Sequence, residues 1–335
     1  MMLRQSIDKL MQQENLNADL CQQAMADILD DQCNNLQAAA FLTLLRSKKE
    51  TAEEFTALLH YFKQQMLPIA TSHKTLDIVG TGGDCKNTVN ISTGSAILAA
   101  SCGIKIAKHG GRAVSSAAGS ADVLEALGIN INLTPEKISQ CIDEVGIGFC
   151  YAPLHHPALL KLKTLRKQLN IPTILNLIAP LINPAQPDHI ILGVYDTKII
   201  DLIAKTLQLS GTTRSIIAHA HGIDEISCIG PATLLEVTKT AINKIIIDPK
   251  QFGLPYCSIE DLQGGSAREN AQLLLAAFSG KNQAIANTCI LNAALALYLY
   301  GKYNTIEEGI KHAKENINDG SAFTLINRLK ELSHD

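Results

Sequence analysis

The chain has 335 residues, 46% apolar content and a formal net charge of −3, enough for one large folding unit or a large unit with a smaller companion, and its ordinary charge balance gives no electrostatic footprint for nucleic acid. No uninterrupted apolar run reaches the length of a bilayer span, and residues 1–9 lack the apolar stretch of a secretory signal. The nine cysteines are dispersed without a CxxC pair, which points to reduced thiols in a cytoplasmic protein and away from structural zinc.

The chain opens on amphipathic helices. Leu20, Ala24, Met25, Ile28 and Leu29 recur at helical spacing, and residues 38–45 are apolar nearly all round. Thr51-Ala52-Glu53-Glu54 has the form of a capping box, and Phe55, Leu58, Leu59 and Phe62 follow at i, i+3, i+4 and i+7. So apolar a face on a small unit must be covered, either by the rest of the chain or by a partner subunit. Periodicity leaves both open.

After Pro68 the pattern changes. Residues 76–79 and 104–107 are short apolar runs ending in or near glycines, and residues 189–193, 215–218 and 244–248 are further strand candidates. Helix-like stretches such as 122–127 and 196–207 lie between them. Strands alternating with helices imply an α/β architecture with a central, mostly parallel sheet buried on both faces. The expected division is a helical domain over residues 1–68 and an α/β domain over 69–335. Pro172, Pro180, Pro184 and Pro187 punctuate an apolar stretch, so residues 165–187 read as a crossing segment with turns that packs back on the first helices and forms a hinge. From residue 267 onward the chain is again helical, with residues 287–299 Ala-rich and buried.

Three constellations carry chemistry. Gly80-Thr81-Gly82-Gly83-Asp84 directly follows a strand, and Asn90-Ile91-Ser92-Thr93-Gly94-Ser95 opens a helix over residues 95–102. Glycines let backbone amides approach an anion, and a helix start has unpaired amides and a positive dipole end. The combination favours phosphate binding over a merely structural turn. Lys108-His109-Gly110-Gly111-Arg112-Ala113-Val114-Ser115-Ser116 follows the second strand, and its cations and hydroxyls suit a second phosphate, with Ser120 a further donor. The alternative is a solvated basic turn. Asp224-Glu225 follows another strand. Alone such a pair is usually a solvated surface feature; beside a polyphosphate site it suits Mg²⁺, which takes one or two carboxylates plus phosphate oxygens and water. His155 and His156 have no ligand partner at metal spacing. Arg166 either pairs with a carboxylate substrate or is a surface charge on its helix.

With these motifs on the page, the chain resembles the anthranilate phosphoribosyltransferases over nearly its whole length. Asp77-Ile78-Val79-Gly80-Thr81-Gly82-Gly83-Asp84 is similar to that family's pyrophosphate signature. Asn90 to Thr93, Lys108-His109-Gly110, Ser115-Ser116, Gly119-Ser120-Ala121-Asp122, His156-Pro157-Ala158, Asn183-Pro184-Ala185 and Gly222-Ile223-Asp224-Glu225 match in order and spacing. The resemblance implies the nucleoside phosphorylase/phosphoribosyltransferase fold, catalysis in the cleft at the hinge, and a homodimer joined through the helical domain. It places phosphoribosyl pyrophosphate on Gly80, Gly83, Asp84, Thr88, Asn90, Ser92, Thr93, Lys108 and Ser120. Ile91, His109, Gly110, Gly111, Ser115, Ser116 and His156 complete the substrate-binding set. Ser92, Asp224 and Glu225 are the implied Mg²⁺ ligands, and Arg166 the residue that engages the carboxylate of anthranilate. Lys108 and Arg166 take the catalytic roles.

Three departures bear on the acceptor. The family usually has Asn at the position of Gly111, Lys-Ser where Ala117-Ala118 stands, and Gly at Ala179. The donor side is intact and the acceptor side altered, which leaves a different arylamine as one alternative. A nucleic-acid-binding relative of the same fold is another, and the acidic charge weighs against it. A pyrimidine nucleoside phosphorylase is a third, but its usual Lys-His-Ser-Thr-Gly-Gly type motif is absent.

Overall fold

The structure, a computed structural model, describes residues 2–30, 33–84, 86–113 and 117–335. Its first part is four helices: α1 (Met2–Met11), α2 (Ala18–Leu29), α3 (Asn35–Lys48) and α4 (Ala52–Gln64). The capping box at Thr51 forms with both bonds in place. Glu54 does more than cap. Its fully buried carboxylate also accepts from the Leu16 amide at 2.8 Å and pairs with Lys48 at 2.8 Å, fastening α4 to the loop before α2.

The second part is built on seven strands: β1 (Leu76–Gly80), β2 (Ile106–Gly110), β3 (Ile147–Tyr151), β4 (His189–Gly193), β5 (Arg214–His219), β6 (Ala232–Thr238) and β7 (Ile242–Ile247). They lie in the order β3-β2-β1-β4-β5-β6-β7. β3 through β5 are mutually parallel in that order, and β6 and β7 are antiparallel additions at one edge. β3 and β6 lie outside the runs picked out by composition. β2 starts two residues later than expected, so Lys108, His109 and Gly110 are part of the strand rather than of a loop after it. Successive residues of β4 serve opposite faces: Ile190 and Leu192 pack with the helical part, Ile191 with the C-terminal helices. Both faces of the sheet are therefore buried at its centre, while the edge strand β7 is largely exposed.

Two apolar cores result. One joins the other sheet face to the helices Ile91–Ser101, Ala267–Phe278, Gln283–Tyr300 and their neighbours. The other unites α1 to α4 with Ala158 and Leu162, with Leu165, Ile174, Leu175, Ile178 and Ile182 of the crossing segment, and with one sheet face through Ile190, Leu192, Ile217 and Val237. Gln283–Tyr300 is long and apolar enough by composition to cross a bilayer, a span that the sequence reading did not allow for. It is enclosed by protein, with 78% of it buried, and so is a core helix.

Candidate active site

The strand order reverses between β1 and β4. The chain winds outward from β1 to β2 and β3, then returns to place β4 on the other side of β1. Ligands of open α/β sheets lie in the crevice outside the carboxyl ends of such a pair. Gly80 and Gly193 end the two strands in register.

The loop carrying Asp224 and Glu225 lies across this crevice. Gly82 N donates to Asp224 Oδ2 at 2.6 Å, and Ser92 N, in the first turn of the helix Ile91–Ser101, donates to Glu225 Oε1 at 3.0 Å. Thr88 Oγ1 reaches Glu225 Oε2 at 3.4 Å. Burial first, and then the adjacent Asp84, push Asp224 up to about 6. Burial, then Asp224, hold Glu225 well above the usual carboxylate range. Asp84 Oδ2 is buried with no hydrogen-bond partner. Among the described residues no three His, Cys, Asp or Glu side chains form a closed metal cage. Mg²⁺ does not need one: mutually repelling carboxylates with an orphaned oxygen beside a phosphate crevice fit a cation that is shared with substrate.

That helix starts at Ile91, earlier than expected, so Ser92 and Thr93 fall in its first turn. Ile91 is fully buried and offers only its backbone. Thr93 Oγ1 donates to Ser120 Oγ at 3.1 Å, joining two of the proposed donors. Asn90 bridges: it donates to Ala118 O at 3.0 Å and accepts from Asn270 at 2.9 Å. Asn270, on the helix Ala267–Phe278, also accepts from the Gly265 amide, so it holds the crevice wall from behind. Nothing in the local sequence around Asn270 signals this.

Lys108 is 2% exposed, and its ammonium donates to Ile78 O at 2.7 Å and His109 O at 3.2 Å. Burial lowers its pKa, opposed chiefly by Asp77. Two of its three N–H groups are thus committed to the sheet and one remains for a ligand. Asp77 sits at the centre of this region. Its carboxylate accepts from the His109 amide at 3.2 Å and from Asn183 Nδ2 at 2.9 Å, and Asn183 also bonds Ala107 O at 2.8 Å. Burial pushes Asp77 up to about 6 against the pull of Lys108. A carboxylate inside an apolar strand was the visible signal for it; its partner 106 positions away was not.

His109 Nε2 and His156 Nε2 are 3.0 Å apart in buried rings. Gly110 faces Ser120, and a Cβ at Gly111 would meet nothing within 4 Å. The guanidinium of Arg166 is half-buried and has no hydrogen-bond or ion-pair partner among the described residues; burial lowers its pKa. Arg112 is not the free cation the sequence suggested. It pairs with Asp122 at 2.8 Å and Glu125 at 2.6 Å and reaches Tyr151 OH at 3.2 Å, locking the turn to the helix Ser120–Ala126. Ser115 and Ser116 lie outside the described residues.

Comparison with known proteins converges on the same assignment. Residues 4–66 match the glycosyl transferase family, helical bundle domain, and residues 72–323 the glycosyl transferase family, a/b domain. The anthranilate phosphoribosyltransferase of Chlamydia felis is 42% identical over 99% of this chain and 97% of its own length. That of Petrotoga mobilis is 40% identical over 98% and 96%. Among solved structures, the Thermus thermophilus enzyme superposes with a TM-score of 0.92 at 33% identity, covering 98% of this chain and 99% of its own. The Saccharomyces cerevisiae enzyme in complex with PRPP and Mg gives 0.91 at 28% identity, covering 99% and 98%.

Proposed function

The chain belongs to the anthranilate phosphoribosyltransferase family, and we infer that it transfers the phosphoribosyl group of phosphoribosyl pyrophosphate to the amine of anthranilate, giving N-(5-phosphoribosyl)anthranilate and pyrophosphate in tryptophan biosynthesis. The observation that carries this reading is the carboxylate pair Asp224 and Glu225 seated across the β1–β4 switch point, between a glycine turn and a helix start.

In the reaction the C1–O bond to pyrophosphate breaks, a C1–N bond forms, and the amine gives up a proton. By analogy with glycosidic cleavage the transition state is oxocarbenium-like, with negative charge gathering on the departing pyrophosphate. Gly80, Gly83, Asp84, Thr88, Asn90, Ile91, Ser92, Thr93 and Ser120 surround the donor, and the uncommitted N–H of Lys108 meets its developing charge. Ser92, Asp224 and Glu225 would hold Mg²⁺, with Asp84 beside them, and the ion when bound neutralises diphosphate charge. His109, Gly110, Gly111 and His156 extend the substrate-binding set, to which Ser115 and Ser116, outside the described residues, are assigned from the sequence, and the unpaired guanidinium of Arg166 takes the carboxylate of anthranilate. The hinge between the helical part (residues 1–68 with the crossing segment 165–187) and the α/β part (69–335) brings the amine to the face opposite the leaving group.

A homodimer through the helical part is supported by exposed Met11 (67%) and Leu36 (78%). The free thiols of the described cysteines support a reducing, cytoplasmic setting.

Asp224→Asn combined with Glu225→Gln tests the metal assignment. Pyrophosphate release should nearly vanish while the circular dichroism spectrum is kept, with added Mg²⁺ restoring only part. Wild-type release from a folded double variant would rule the assignment out.

A further inference from the structure

We propose that the hydroxyl of Tyr195 is a further contact to the diphosphate of phosphoribosyl pyrophosphate, closing its pocket from the β4 side; the proposal rests on the function inferred above.

Several backbone donors that a glycine turn would offer an anion are already in use. Thr81 N donates to Gly193 O at 3.0 Å, Gly82 N to Asp224, and Ser92 N to Glu225. A diphosphate in this crevice therefore needs donors from elsewhere. β1 reaches the crevice through its turn. β4 has fewer means: Gly193 lies beneath Asp224, and Val194 is buried in the core shared with the helical part. Tyr195 is the next residue.

Its phenol end stands against the turn. A Cβ built on Gly83 would lie 3.4 Å from Tyr195 Cε1, 3.8 Å from Cζ and 3.9 Å from the hydroxyl oxygen. The chain before the ring is held on both sides, because Val194 N donates to Ala218 O at 2.8 Å and His219 Nδ1 lies 2.9 Å from Val194 O. Fixing the strand end in this way lowers the entropy cost of engaging a ligand through that side chain. The ring is half-buried, and its hydroxyl has no hydrogen-bond partner among the described residues. Beside Gly83 and Asp84, whose Oδ2 is likewise unpartnered, the matching acceptor is a diphosphate oxygen and the matching counter-charge its cation.

Tyr195→Phe removes the hydroxyl and keeps the ring on Gly83; Tyr195→Ala removes both. Steady-state kinetics with Mg²⁺, and calorimetric titration with Mg²⁺-pyrophosphate, read the result. Tyr195→Phe should raise KM for phosphoribosyl pyrophosphate about tenfold, the scale of one hydrogen bond to a charged group. KM for anthranilate should not move, and pyrophosphate should bind more weakly by a similar factor. Values within twofold of wild type for Tyr195→Phe would overturn the proposal, and a defect confined to Tyr195→Ala would show that the ring only braces the turn. A wild-type protein with no turnover strikes the inferred function instead, and the pyrophosphate titration still decides Tyr195.

Discussion

Gly193 lies directly beneath the backbone of Asp224. A Cβ at Gly193 would overlap the Asp224 carbonyl oxygen and stand 2.9 Å from the Glu225 amide nitrogen, and a Cβ at Gly80 would fall on Asp224 as well, 2.8 Å from that same oxygen. Close approach, not a left-handed backbone, requires glycine at both strand ends. The carboxylate pair can cross the switch point only because adjacent strands end without side chains. Gly193→Ala must lift the loop, and a displacement of that order costs about 10²-fold in a positioned reaction. Turnover should fall by roughly that factor in a variant whose circular dichroism is unchanged. Full activity in Gly193→Ala would mean that the seating of Asp224 is immaterial.

Arg166 is half-buried, and its guanidinium has no partner among the described residues. A charged hydrogen bond to a carboxylate is worth on the order of 1.5–3 kcal/mol, so Arg166→Ala should raise KM for anthranilate about tenfold or more. KM for phosphoribosyl pyrophosphate should change far less. Equal rises in both constants would assign Arg166 to joining the two parts of the chain.

The imidazoles of His109 and His156 share one proton across their 3.0 Å contact so long as at least one ring nitrogen is free to accept, and their burial disfavours charge on either ring. Burial pulls His156 down to about 4, and burial followed by His156 holds His109 well below the ordinary value. A base with a lowered folded pKa contributes stability that is complete above its unfolded value, near ~6.5, and is lost as pH falls toward about 4. For His156 the loss should reach on the order of 2 kcal/mol by pH 5. Asp77 acts in the opposite sense, losing stability as pH rises from ~3.9 to about 6, and it cancels when variants are compared. Between pH 7 and pH 5 the urea midpoint of wild type should therefore fall further than that of His156→Asn. Equal falls would show that the pair does not govern acid stability.

What could be read from the sequence was local. The glycine turn at 80–83, the box at Thr51 and five of the seven strands are set by short-range preferences of backbone and pattern and are found in those stretches, although β2 starts two residues later and the hydroxyl-rich helix four residues earlier than the pattern alone placed them. What could not be read depends on contacts between distant segments. Lys108 reads as a loop cation, yet Ile106 to His109 are all buried, and the strand runs on through the charge because Asp77 and two carbonyls receive it. Arg112 reads as a phosphate ligand until Asp122 and Glu125 come round on the next helix to claim it. Asn270 supports Asn90 across 180 positions, a pairing that no local pattern encodes.

Gly111 is where the chain departs from the usual Asn of the family. Its backbone is not in the left-handed region, and an added Cβ meets nothing within 4 Å, so Asn can be placed there without strain. Gly111→Asn should tighten apparent binding of anthranilate by up to roughly tenfold, the scale of one neutral hydrogen bond. Binding of phosphoribosyl pyrophosphate should be little changed. Impaired anthranilate turnover in this variant, with a substituted arylamine used better, would show that the acceptor pocket has been rebuilt for another amine.

The central claim is transfer of phosphoribose to anthranilate, and the loss of anthranilate fluorescence tests it most directly. With phosphoribosyl pyrophosphate and Mg²⁺ both present, fluorescence should fall in step with pyrophosphate release, and omission of the donor should abolish the signal. Persistent anthranilate fluorescence in the complete mixture, from a folded protein, would contradict the account.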